Sequence, residues 1–132
     1  MREILFRGKC NEVGKYNGQW IEGFYGEDDG KPIIARSTDH GLIGYFCEPD
    51  SIGQYTGLTD KNGRKIFEGD IVKTSHGGST YYAKIEWDDG SFWVTNHDIQ
   101  MPSYISEVSK TYLEVIGNIH DNPELLGGES DG

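Results

Sequence analysis

The sequence predicts a mainly β protein, with an antiparallel amino-terminal subdomain over residues 1–52 and a small barrel over residues 53–126. Three observations carry this. The chain has 19 glycines with no Gly-X-Y period, which points to many turns between short strands. Asn17-Gly18 and Asn62-Gly63 are strong hairpin signals, because the central residues of a type I′ turn need φ > 0. Alternation is clear from Tyr81 to Trp87, the period of a half-buried strand.

Glu3 to Lys9 reads as a first strand, with Ile4 and Phe6 on one face and Leu5 on the other. After the Asn17-Gly18 turn, Gln19 to Gly26 forms a second strand. Trp20, Glu22 and Phe24 alternate there with Ile21, Gly23 and Tyr25, so both faces carry apolar mass and the strand is expected to be covered on both sides or to lie between subdomains. Glu27 to Gly30 is a turn, and Lys31 to Arg36 is a short strand that Pro32 confines to an edge or a strand start. Leu42 to Cys47 is a fourth strand.

Residues 51–73 are punctuated by glycines between apolar and aromatic anchors. This is the grammar of consecutive tight turns, at Asn62-Gly63 in type I′ form and again at Gly69-Asp70. Ile71 to Ser75 continues as a strand, and His76 to Ser79 is a loop. In the next strand Tyr81, Ala83, Ile85 and Trp87 are placed inward and Tyr82, Lys84 and Glu86 outward. Asp88-Asp89-Gly90 turns into Ser91 to Thr95. A longer loop with Pro102 leads to a last strand, Tyr112 to Ile119, and Asp121 to Leu126 forms a helical turn with Pro123 near its start. Residues 127–132 lack an apolar anchor and are expected to be disordered.

Length and charge bound the function. A chain of 132 residues suits one domain or two small β units. Residues 1–66 hold nine Lys/Arg and ten Asp/Glu, whereas residues 67–132 hold three and twelve, so almost all of the net charge of −10 lies in the second half. Nucleic-acid binders usually display a basic face that displaces phosphate counterions, and the second half has no residues to build a large one. Two cysteines make neither a disulfide framework nor a zinc site. No signal peptide and no apolar run of bilayer-spanning length is found. A cytoplasmic protein is the expectation.

The chain resembles the YopX family of small phage and prophage proteins of Gram-positive bacteria. The likeness lies in three blocks. One is Arg2 to Lys9. The second is Ile52-Gly-Gln-Tyr-Thr-Gly-Leu-Thr-Asp-Lys-Asn-Gly63 with Ile66-Phe-Glu-Gly-Asp-Ile-Val72, and the third is Val115 to Leu126. The resemblance implies an SH3-type barrel in the carboxy-terminal part and a phage or prophage origin. It implies no reaction, cofactor or catalytic residue.

Catalytic groupings are not legible. His40, His76, His97 and His120 are dispersed, without the helical spacing of a metal motif, and surface histidines account for them. Asp28-Asp29-Gly30 and Asp88-Asp89-Gly90 are explained by turn formation, since a hard cation needs about six oxygens. Cys10 and Cys47 read as small buried hydrophobes. The glycine-rich run lacks a phosphate-loop pattern. Neither a metal nor a cofactor is called for.

A binding role remains: a non-enzymatic accessory module for a host or phage macromolecule. Gln54, Tyr55, Arg64, Trp87 and Trp93 are the candidate contacts, as exposed aromatics anchor peptides or stack bases. Glu86, Asp88 and Asp89, with Glu68, Asp70 and Asp98, are the candidate acidic face, suited to a basic protein partner. Self-association is a further expectation. The alternatives are a nucleic-acid-binding barrel using Lys61, Arg64 and Lys65, and an enzyme, which is disfavoured because no acid–base or nucleophile constellation can be assembled.

Overall fold

The computed structural model describes residues 4–76, 78–88, 90–95, 100–101 and 112–126. They form β strands almost throughout: β1 (Phe6–Lys9), β2 (Trp20–Asp28), β3 (Lys31–Thr38), β4 (Gly41–Phe46), β5 (Gly53–Thr59), β6 (Lys65–Phe67), β7 (Asp70–His76), β8 (Ser79–Asp88), β9 (Ser91–Thr95), β10 (Gln100–Met101) and β11 (Glu114–Asn118). Two sheets result, ordered β4-β3-β2-β1-β5-β6 and β10-β9-β8-β7-β11. The described pairings are antiparallel, and among the described residues neither sheet closes into a barrel. The chain divides into two compact units, residues 1–55 and 56–132, and the division falls inside β5.

In the first unit the strands β1 to β4 are joined by turns that the sequence spells out. The β2–β3 hairpin turns on Asp29 and Gly30, with φ of 55° and 78°, so the type I′ geometry, which needs φ > 0 at both central residues, is found here. The β3–β4 turn is held by Thr38, whose hydroxyl donates to the Gly41 carbonyl at 2.8 Å and accepts the His40 N–H at 3.1 Å. Pro32 sits at the start of β3, where a missing N–H is tolerated. A 3-10 turn at Pro49–Ser51 leads into β5. Its Ser51 hydroxyl donates to the Glu48 carbonyl and accepts the Lys9 N–H.

The core of this unit is Cys10, Ile21, Ile34 and Cys47, flanked by Phe6, Tyr16, Tyr45 and Ile52. Ile21 and Ile34 are almost fully buried, each worth on the order of 2 kcal/mol of transfer free energy. Arg36 stands over the rings of Tyr16 and Tyr45, at 5.3 and 5.2 Å from their centroids, and roofs one side of the cluster. The expectation that β2 is covered on both faces does not hold. Ile21 and Gly23 face the core, but Phe24 is 58% exposed and Tyr25 42%.

The second unit packs Ile66, Val72, Ala83, Ile85, Phe92, Val94, Leu113 and Val115, with Leu58 against them. Apart from Leu113, just before β11, these come from alternate positions of β7, β8, β9 and β11 and from β6, as strand periodicity requires. Ala83 and Ile85 point inward as expected, whereas Trp87, placed inward by the alternation, is 46% exposed at the end of β8. It leans edge-on against its cross-strand partner Phe92, with ring centroids 4.7 Å apart. Near the carboxy end the expected helical turn is present at residues 124–126.

Two local expectations are corrected in the stretch 51–73. Residues 53–59 are a strand rather than a run of turns, broken only by Gly57 at φ 89°. The Asn62-Gly63 turn is not type I′, because Gly63 alone has positive φ. Gly63 N–H donates to the Asp60 carbonyl and Asp60 N–H to the Arg64 carbonyl, which is a three-residue hairpin closed by a glycine bulge. The cause is Asp60. Its carboxylate is buried and accepts the N–H groups of Asn62 and Arg64, both at 2.9 Å, and of Val115 at 2.8 Å. The loop with Pro102, the His97-Asp98 pair and the expected disordered tail lie outside the described residues.

Candidate functional site

The free edge of the first unit's sheet is β4, Gly-Leu-Ile-Gly-Tyr-Phe. Its register against β3 pairs Gly44 with Ala35, Leu42 with Ser37 and Phe46 with Ile33, and β2 sets Phe24 opposite Ala35 and Gly26 opposite Ile33. Directly opposed residues share a face. Phe24, Gly26, Ile33, Ala35, Leu42, Gly44 and Phe46 therefore line the side of the sheet opposite to Ile34 and Tyr45. Ser37 lies on that side too, opposite Leu42, so the side is apolar in part. Leu42 is 61% exposed, and Ile43, on the other side of the same strand, is also exposed.

A second feature lies where β1 and β4 end. Cys10 and Cys47 oppose one another in an isolated antiparallel bridge. Both thiols are free and buried. Cys47 also lines a cleft of about 430 Å³ with Asn11, Glu12, Lys31, Phe46 and Pro49. The Glu12 carboxylate holds the cleft's rim by accepting the Phe46 N–H at 2.7 Å. Burial and, after it, the neighbouring Cys10 push the Cys47 thiol up to about 11. Nothing local in the sequence signals their pairing, since the course of β2, β3 and β4 between them decides it.

Of the contact residues inferred from sequence, Gln54 and Tyr55 lie in the first unit and Arg64, Trp87 and Trp93 in the second. Gln54 is half-buried and Tyr55 is buried in β5, so Tyr55 is a packing residue rather than an exposed contact. Arg64 is exposed, with its guanidinium donating to the Val115 carbonyl at 3.3 Å. Trp87 pairs with Phe92 and Trp93 with Glu86, which puts the two tryptophans on opposite faces of their hairpin. The Trp93 indole N–H is held by the Asp88 carbonyl at 2.9 Å.

The acidic face is likewise reduced. Glu86 is paired with Lys84 at 2.8 Å and accepts the Thr95 hydroxyl at 3.2 Å. Asp88 is exposed, and Asp89 lies outside the described residues. Asp70 is buried, accepting the Phe67 N–H at 2.7 Å, so it serves the β6–β7 turn and not a surface field. Among the described residues no three His, Cys, Asp or Glu side chains are grouped to hold a metal ion, and no helix is long and apolar enough to cross a membrane.

The glycine-punctuated β5–β7 stretch, with its buried Asp60 and Asp70, sits within a match to the YopX protein family model that runs over residues 5–127. The chain belongs to the YopX family. Its fold is similar to that of protein EF1440 from Enterococcus faecalis, known from a crystal structure. The two share 25% sequence identity and a TM-score of 0.61, over 96% of this chain and 99% of that one. No curated protein matches the sequence.

Proposed function

We propose that this YopX-family protein is a non-enzymatic binding module of phage or prophage origin that takes up an extended segment of a protein partner along β4. The observation that carries the reading is an edge with no partner strand among the described residues over residues 41–44; at Phe46 it is already taken, by the Glu12 carboxylate and the Asn11 N–H. Natural sheets protect free edges with charges, proline, bulges or a covering element. β4 has neither charge nor proline, and it presents Leu42 on one side and Ile43 on the other. An added strand gains main-chain hydrogen bonds from such an edge and buries its alternate side chains against both faces. Phe24, on β2 beyond β3 and on the same face as Leu42, supplies an aromatic anchor for a side chain that reaches across β3.

The charge distribution supports a protein rather than a nucleic acid as the partner, since the net charge of −10 opposes phosphate binding. We read the second unit as an open relative of the SH3-type barrel, a reading supported by the β7-β8-β9 meander and the return of β11 to pair with β7. The test is affinity capture from phage-infected cells with the wild-type chain and with Leu42→Lys, which places a charge on the edge. A partner captured by the wild type and lost by the variant, with the circular dichroism unchanged, is the expected result. Identical capture by both proteins would overturn the assignment to β4.

A further inference from the structure

We infer that Cys10 and Cys47 are a redox-active dithiol, which closes to an intramolecular disulfide when a small peroxide enters the cleft beside Cys47. Backbone geometry carries this. The hydrogen bonds around the pair flank it rather than join it: Asn11 N–H donates to the Phe46 carbonyl at 3.0 Å, and Glu48 N–H to the Lys9 carbonyl at 2.9 Å. Cys10 and Cys47 are thus a non-hydrogen-bonded antiparallel pair, in which Cα atoms approach to about 4.5 Å and side chains stand closest. A disulfide spans Cα separations of about 4.4–6.8 Å, so the bond can form without moving either strand.

The surroundings are shaped for the pair. A Cβ at Gly8 would lie 2.9 Å from both Cβ and Sγ of Cys47, so the absent side chain there is what seats this thiol next to Cys10. The Cys47 thiol donates weakly to the Tyr45 carbonyl at 3.4 Å. Burial holds the Cys47 thiol protonated at rest, so only its small deprotonated fraction reacts and oxidation is slow; Cys47 lines the cleft by which a molecule of peroxide size would arrive. Oxidation would pin the end of β4 to the end of β1.

The chemistry balances in two steps. The Cys47 thiol first loses its proton to water and the thiolate sulfur attacks the peroxide: an S–O bond forms, the O–O bond breaks, and the hydroxide released takes up a proton and leaves as water. The Cys10 sulfur then attacks the Cys47 sulfenic acid: the S–S bond forms, the S–O bond breaks, and the Cys10 proton departs with the hydroxide as a second water. Two electrons pass from the thiol pair to the peroxide.

The experiment treats the full chain with stoichiometric hydrogen peroxide and follows intact mass, peptide map and thiol content. Expected are the loss of two hydrogens, a single Cys10–Cys47 cross-linked peptide and recovery by dithiothreitol. The oxidised protein should also melt higher than the reduced one, by on the order of 10 °C. A Cys10→Ser variant should stop at a Cys47 sulfenic acid that dimedone traps. Oxygen added to Cys47 of the wild type while Cys10 stays free, disulfides between molecules, or thiols that survive peroxide in the folded but not the unfolded chain would each overturn the proposal. The wild-type mass and peptide map decide it even if the serine variant does not fold.

Discussion

Asp60 shows how much one side chain can organise. Burial raises the proton affinity of its carboxyl, but the N–H bonds from Val115, Arg64 and Asn62, with the nearby Arg64 charge, outweigh this and lower its pKa. Asp60→Ala should destabilise the protein by about 3 kcal/mol, because three backbone donors lose a charged acceptor; chemical denaturation measures it. The depressed pKa also sets a pH signature. The stabilisation from Asp60 is complete above the ordinary aspartate value of about 3.9 and is lost as pH falls from there through the lower folded value. The stability gap between wild type and Asp60→Asn should therefore narrow below about pH 4. Three residues on, Gly63 has φ of 83° with open space where a Cβ would go. Gly63→Val should cost about 1 kcal/mol through backbone strain alone, and an unchanged melting curve would contradict the bulged turn.

At the scale of elements, the β8–β9 hairpin and the β4 edge differ in how they treat exposed apolar surface. Trp87 is exposed but engaged, its ring edge-on to Phe92. Trp87→Ala should lower stability by roughly 1 kcal/mol, the worth of a cross-strand aromatic pair, and leave the far-UV spectrum intact. Leu42 has no ring contact of this kind and sits on a strand with an open side. Leu42→Lys should leave the melting temperature within about 2 °C of wild type, as surface substitutions do, while abolishing partner capture. A large loss of stability instead would mean that Leu42 supports the fold.

For the whole molecule, charge is the dominant statement. The second half carries almost all of the excess acid, yet Asp70 is buried within it and Glu86 is paired with Lys84. A net charge of −10 favours solubility and opposes the binding of polyanions. Electrophoretic mobility of random-sequence duplex DNA should be unaffected by the protein at low salt. Tight binding that weakens steeply as salt rises would reverse the preference for a protein partner.

The local grammar of this chain was readable without coordinates. Strand content, most strand positions, the start of β3 at Pro32 and the positive φ at Gly63 follow from alternation and turn chemistry, which act between near neighbours. The family likeness lay in the same glycine-punctuated stretch. The reading failed wherever distant segments decide the outcome. Whether Phe24 and Trp87 are covered depends on what lies across a sheet, and alternation names two faces without saying which has a neighbour. The turn at Asn62-Gly63 changed type because Asp60 binds Val115 as well as its own loop. β4 is an edge, and Cys10 meets Cys47, only through strand order and register. Those are products of long-range pairing, for which a single strand's sequence carries no address, and they place both the open edge and the thiol pair.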